Sequence, residues 1–185
     1  MKLDLFEVQH YLEFKDIALL GNASSILNTK KDIDKHEIVC RINRGLPRGK
    51  MEFLGSRTDI LFTATKLSND LISNFKAKYV IWTTKCQNLT TPWLLENAYQ
   101  NPVEDWEKLK ALCPEDKLPS TGIVSLQFIL KHIHFKTLTL YGFDNFATGT
   151  YYHQMKNQPW HMGDWEKEWV SDAVKDNPNM IWIKE

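Results

Sequence analysis

Four short stretches of this chain carry residue types that can do chemistry together. Thr150-Tyr151-Tyr152-His153 sets two phenols side by side, and phenolic hydroxyls can donate hydrogen bonds to a departing phosphate. His161, nine residues past Tyr152, begins the run His161-Met162-Gly163-Asp164-Trp165-Glu166. An imidazole just ahead of a helix suits a general base, because its ordinary pKa lies near working pH. The plainer alternative is a surface histidine in a tryptophan-rich loop. In Leu20-Gly21-Asn22-Ala23-Ser24-Ser25 the glycine lets backbone approach a ligand, and the asparagine and serines offer neutral donors and acceptors for a ribose or phosphate. An Asx turn capping a helix explains the same residues. Pro119-Ser120-Thr121-Gly122 has a cap residue ahead of a long apolar-periodic stretch, so free N–H groups there could face an anion, or the motif is simply a good cap.

Familiar cofactor motifs are missing. There is neither a GxGxxG nor a Walker sequence, so the standard dinucleotide and P-loop readings fail. Asp32-Ile33-Asp34 fits a DxD metal pattern, but it precedes an apolar run instead of following one, and Lys30, Lys31 and Lys35 surround it. No metal is expected there. Cys40, Cys86 and Cys113 show no ligand spacing and are odd in number, which supports neither a zinc site nor a disulfide framework. A reducing, cytoplasmic setting is the expectation.

The elements that must position these residues follow from the apolar pattern. Short β-prone runs predict strands over 17–20, 37–42, 59–62, 79–82, 138–141 and 180–183. Periodicity and caps predict helices over 3–14, 67–75, 93–98, 103–112, 120–133 and 164–174, with a short one from 24. Strands alternating with helices imply an α/β domain with a mainly parallel sheet covered on both faces. In such sheets ligands bind beyond the carboxyl ends of the strands. The residues just past those ends include Gly21-Asn22, Asn43-Arg44 and Gly142-Phe143.

Composition narrows the function classes. The chain has 185 residues, with 23 Lys+Arg against 23 Asp+Glu. That length suits a single domain over 1–185, and the zero net charge argues against a nucleic-acid partner. No apolar run is long enough for a membrane span, and the acid-bearing N-terminus lacks the apolar core of a signal peptide. Arg41, Arg44, Arg48, Lys50 and Arg57 form a locally basic stretch. It reads first as a solvated loop, and leaves room for an anionic donor or peripheral membrane contact. Trp160, Trp165 and Trp169 bracket His161; one is expected on an acceptor side, and core packing against the sheet is the better reading for at least one of them.

Taken together, the pieces resemble the sialyltransferases, both the animal type and the bacterial enzymes related to it. Residues 17–59 (IALLGNASSIL, DIDKHEIVCRINRG, GSRTD) resemble the large motif of that family, and LPSTGIVSLQFIL through LTLYGF resembles the small one. Thr150–His153 resembles the third motif. His161 and Glu166 match the very small motif, and all four occur in the family's order, covering about half the chain. The resemblance implies a Rossmann-like, GT-A-like variant fold and a metal-independent, inverting transfer of sialic acid, or a related keto-sugar, from a CMP-sugar donor to a glycan acceptor, with no further cofactor. It implies that Gly21, Asn22 and Asn43 contact the donor, that Ser120, Thr121 and Gly122 hold it at a helix N-terminus, and that Gly142 and Phe143 lie by the cytidine. Tyr151 or Tyr152 would stabilise the leaving phosphate, His161 would be the base, and Glu166 would support its helix. The two cysteines that the animal enzymes join have no counterpart at Ile17 or over residues 126–136, which suits a bacterial-type protein. Two rival readings stand beside this one: a metal-dependent nucleotide-processing enzyme on a related fold, and a non-catalytic nucleotide- or glycan-binding module.

Overall fold

The computed structural model describes residues 3–85, 90–153 and 159–184; Cys86 lies outside the described residues. Helix α1 (Leu5–Leu12) opens on a capping box, in which Asp4 accepts from the Glu7 amide and Glu7 answers to the Asp4 amide. It is shorter than the periodicity suggests, because Phe14 takes a left-handed φ of 56° and turns the chain into β1 (Asp16–Leu20). Two 3₁₀ turns, Ser24–Asn28 and Ile33–Lys35, lead to β2 (Ile38–Ile42). Then follow α2 (Met51–Leu54), β3 (Ile60–Thr63), α3 (Asn69–Phe75), β4 (Tyr79–Trp82), α4 (Pro92–Asn97) and β5 (Tyr99–Gln100). The chain closes with α5 (Val103–Leu112), α6 (Thr121–His132), β6 (Thr137–Tyr141), α7 (Gly163–Asp176) and β7 (Met180–Trp182). Sequence pattern misses α2 and β5, which are four and two residues long.

The seven strands form one sheet in the order β5-β4-β3-β2-β1-β6-β7, and every neighbouring pair is parallel. The alternation of side chains across a strand divides the core in two. Ile17, Leu19, Cys40, Phe62 and Leu140 meet α1, α5, α6 and α7 on one face. Ala18, Leu20 and Val39 pack under the 3₁₀ turns and α2, while Leu61, Val80 and Trp82 pack under α3 and α4. The architecture is therefore α/β with helices on both faces, as expected. Chain direction across the sheet reverses around β1, whose successor β2 lies on one side and β6 on the other. That switch point is where a crevice opens in such folds.

Several residues of the large motif turn out to tie the switch region together. Asp34 accepts from the Ser56 amide and hydroxyl and from the Arg57 amide, and these bonds hold its carboxyl below the usual range against the opposing cost of burial. Asp32 pairs with Lys35, so the DxD carboxylates have local partners. Arg57 bonds the Glu37 carbonyl and Asp59, and Asp59 in turn accepts from the Val39 amide. Arg41 is buried and donates to the carbonyls of Leu54, Gly55 and Arg57. The basic stretch is thus no single surface: Arg41 is internal, Arg57 is bonded along the β2 edge, and Arg44 and Arg48 are exposed. Of the tryptophans, Trp165 and Trp169 pack on the core, and Trp160 is 63% exposed.

Candidate functional site

The pairing of β1 with β6 aligns Leu20 with Tyr141, which sets Gly21 and Gly142 opposite each other just beyond the strand ends. Their backbones nearly touch. A Cβ on Gly21 would lie 2.2 Å from the Gly142 carbonyl oxygen, and Gly142 itself has φ +66°. No other residue type fits this crossing without moving a strand. The Gly21 amide donates to the Tyr141 carbonyl and the Ala23 amide to that of Gly142, which carries the chain over the sheet edge into a cleft. The space between the walls, mouth included, is about 820 Å³.

Of the residues singled out from sequence, Gly21, Asn22, Asn43, Ser120, Thr121, Gly122, Gly142, Phe143, Tyr152 and His161 all line this cleft. Tyr151 does not. Its ring packs against the cluster under α2, and burial pushes its phenol well up in pKa despite nearby Arg41. Adjacent residues of the 149–153 loop thus have opposite fates. The loop is fastened to the segment after β1 by the bonds Ser24 N–H to Gly149 O (2.7 Å) and Tyr151 N–H to Asn22 O (3.0 Å).

Tyr152 faces Asn22. The Asn22 Nδ2 donates to the Ile42 carbonyl at 3.0 Å and to the Tyr152 hydroxyl oxygen at 3.2 Å. Because Tyr152 accepts there, its own O–H is left to donate elsewhere. Burial raises its pKa, so it stays a proton-bearing donor at neutral pH. The Asn22 Oδ1 is buried and unpartnered. Gly45 crowds that side: a Cβ there would meet Asn22 Oδ1 at 2.4 Å and the Tyr151 hydroxyl at 2.7 Å.

Asn43 ends β2 in the left-handed region, with φ 51°, a conformation asparagine tolerates better than most residues. Its side chain joins three elements. Nδ2 donates to Thr121 Oγ1 (3.1 Å), and Oδ1 accepts from the Ala64 amide (3.0 Å) and the Thr63 hydroxyl (3.3 Å). It thereby fixes the α6 N-terminus to the ends of β2 and β3.

Helix α6 starts at the cleft. Ser120 is its N-cap, accepting from the Ile123 amide. The amides of Thr121 and Gly122 lie in the first turn, where a helix has no internal acceptors. Phe143 packs on Gly122, where a Cβ would stand 3.1 Å from the ring. The Ser120 amide and hydroxyl both donate to Glu166, at 2.9 and 2.8 Å. Glu166 is 4% exposed, and burial raises its carboxyl to about 7 against those two hydrogen bonds.

His161 has a fixed tautomer. Its Nδ1 lies 2.7 Å from the Leu118 carbonyl, which can only accept, so Nδ1 carries the proton and Nε2 carries the lone pair. No described hydrogen bond engages Nε2. The ring stacks on Phe146 with centroids 5.4 Å apart. Burial lowers its pKa, opposed by the bond to Leu118, so the ring is neutral at pH 7. On the other wall Asp144 accepts from the Ser25 hydroxyl and from the amide and hydroxyl of Thr148, which curls the loop over the cleft.

Sequence reasoning missed Phe146, Asp144 and Thr148, and saw Glu166 only as a support of its own helix. The glycines flanking Asp144-Asn145-Phe146 were the available signal that the loop is built to curve. Among the described residues no group of three or more metal-ligating side chains occurs, and no helix is long and apolar enough to cross a membrane.

No protein-family model matches the chain, and no curated protein matches it in sequence. Solved structures do. A mammalian sialyltransferase superposes with a TM-score of 0.60 at 19% identity, over 92% of this chain and 69% of that one. The sialyltransferase CstII from Campylobacter jejuni, solved with cytidine-5'-monophosphate, gives 0.58 at 13% identity, over 92% and 80%. CstII with a trisaccharide acceptor and CMP gives 0.61 at 14%, over 91% and 80%. The α/β fold of this chain, with its all-parallel sheet of seven strands, is the fold of those sialyltransferases.

Proposed function

We propose that the chain is an inverting glycosyltransferase that moves sialic acid, or a related keto-sugar, from a CMP-sugar donor to a glycan hydroxyl, acting as one catalytic domain. The observation that carries the reading is the fixed tautomer of His161, with an unengaged Nε2 on the same cleft as the free O–H of Tyr152 and the open turn of α6. The acceptor hydroxyl gives its proton to His161 Nε2 as its oxygen bonds the anomeric carbon. The bond from that carbon to the CMP phosphate breaks, and the electron pair leaves on the phosphate oxygen. Hydrogen bonds from Tyr152 and from the amides of Thr121 and Gly122 stabilise that charge. Asn22 and Asn43 set the donor's position, with Gly142 and Phe143 beside the base. A monophosphate so held needs neither a divalent metal nor a cofactor. The relatives of known structure were solved with CMP and with glycan acceptors, which supports the same donor and acceptor classes here.

A thermal-shift panel of CMP, CDP, UDP and GDP, each with and without EDTA, tests the donor class. CMP at a hundred times its Kd should stabilise by about 2.7 kcal/mol, and EDTA should leave the shift unchanged. Stabilisation that requires Mg²⁺ points to a nucleotide-processing enzyme instead. Tight CMP binding with no CMP released from CMP-sialic acid points to a binding module.

A further inference from the structure

Glu166 stands out among the buried titratable groups because the proposed transfer gives it no task. It sits in the first turn of α7, lines the cleft, and spans 46 residues of sequence to reach the N-cap of α6. Both its oxygens are used: Oε1 accepts from the Ser120 amide and Oε2 from the Ser120 hydroxyl. Among the described ion pairs none compensates it, and its neighbours are poor in positive charge. The Cys113 thiol, after α5, is pushed up to about 11 by its own burial, with Glu166 adding to the rise and Lys110 opposing it. From the cleft side it shares its surroundings with Asp144, Tyr152 and the neutral ring of His161. The carboxylate therefore occupies the end of a helix dipole that an anionic ligand would also use.

We propose that Glu166 is a proton-linked positioning residue, which holds the α6 N-cap as a carboxylate and takes up a proton when an anionic group docks at that helix N-terminus. The inference rests on the reading of the cleft as a monophosphate site. Two anions beside one helix end repel, and the group in the drier place gives way by protonation. Once protonated, Glu166 keeps its grip on Ser120: its carbonyl oxygen accepts from the amide, and its O–H donates to the serine oxygen. Burial already holds the carboxyl at about 7, so the required proton is accessible near neutrality. The bond to Ser120 then couples donor binding to the seating of α7, the helix that follows His161.

Calorimetry of CMP and of cytidine, from pH 6 to 8.5 in two buffers of different ionisation enthalpy, provides the test on the wild type and on Glu166→Gln. CMP binding to the wild type should be accompanied by net proton uptake near pH 7, and should weaken roughly tenfold more across that range than binding to the glutamine variant. The phosphate's own titration, near pH 6, is common to both proteins and cancels. Cytidine, lacking the phosphate, should show neither effect. Should the variant fail to fold, infrared difference spectra of the wild type decide the matter: growth of a carboxylic-acid C=O band when CMP is added near pH 7 supports the inference, and its absence overturns it, because neither the phosphate nor His161 gives that band. CMP binding with no uptake and with equal pH trends in the two proteins overturns the inference and leaves the donor reading intact. A wild type that binds no CMP overturns both.

Discussion

The role of base proposed for His161 rests on what its other nitrogen does. The Leu118 carbonyl at 2.7 Å holds the Nδ1 proton, and the stack on Phe146 fixes the ring plane, so the lone pair on Nε2 has one orientation. Burial then keeps the ring neutral, by lowering its pKa from the ordinary 6.5. Replacing it by alanine removes the base and leaves the donor-contacting residues in place. We expect His161→Ala to lower transfer by roughly 10²–10⁴-fold, with CMP affinity changed less than threefold. Because the imidazole must be unprotonated, the wild-type rate should hold on the acid side of neutrality and fall only below about pH 6.5, a limb the variant should lack. Initial-rate profiles with a CMP-sialic acid donor read both; an unchanged rate in the variant removes His161 from the chemistry. Tyr151 and Tyr152 give the contrasting lesson. They are neighbours on one loop, yet Tyr152 lines the cleft while Tyr151 packs under α2. In the proposed transfer the leaving-group role therefore goes to Tyr152 and not to Tyr151.

At the scale of elements, α6 depends on two kinds of cap at once. Ser120 accepts from the Ile123 amide, an ordinary N-cap bond, and also donates to Glu166 on α7. Ser68 caps α3 with the first kind alone, accepting from the Leu71 amide. Loss of an N-cap costs about 1 kcal/mol. Ser120→Ala should therefore cost about 1 kcal/mol more than Ser68→Ala in urea unfolding, because it also strips a buried carboxyl of a donor. Equal costs mean that the bond to Glu166 contributes nothing to stability. The same distinction governs what sequence could reveal. The central strands were legible because they are buried on both faces and read as unbroken apolar runs, as in Ile60-Leu61-Phe62. Strand β5 is a half-buried pair of residues at the sheet edge, and α2 is one turn; neither is long enough to show a period. The site glycines and Asn43 were legible from their place after strands. The contacts of Leu118 with His161 and of Ser120 with Glu166 join positions 43 and 46 residues apart, and nothing local encodes them.

The whole molecule is neutral in formal charge near pH 7, so the response of its stability to pH is argued group by group from the residues whose pKa the fold shifts. Four shifted groups act in three windows. Asp34, bonded by Ser56 and Arg57, and Asp105, bonded by Lys131 and His132, have lowered pKa values in the fold against the opposing cost of burial; their stabilisation is present above about 3.8 and is lost on acidification. His161 is also lowered, by burial, so its unfolded form takes the proton first and stability grows as pH rises through 6.5. Glu166 runs the other way. Its folded pKa of about 7 exceeds the ordinary 4.5, so the folded state holds the extra proton between those values, and stability falls as pH rises through that window. A difference of that size corresponds to roughly 3 kcal/mol. Glutamine at 166 has no proton to lose but leaves His161 and the aspartates as they are, so comparing the two proteins isolates this one group. Thermal melts at pH 5, 6, 7 and 8 should show Glu166→Gln gaining on the wild type with each step up in pH, by roughly 6–12 °C in all. Parallel melting temperatures across the series mean that Glu166 is ionised throughout in the fold, with its charge solvated or paired in solution. A converging pair, with the wild type gaining on the variant, means that Ser120 and the α6 dipole favour the carboxylate by more than burial opposes it.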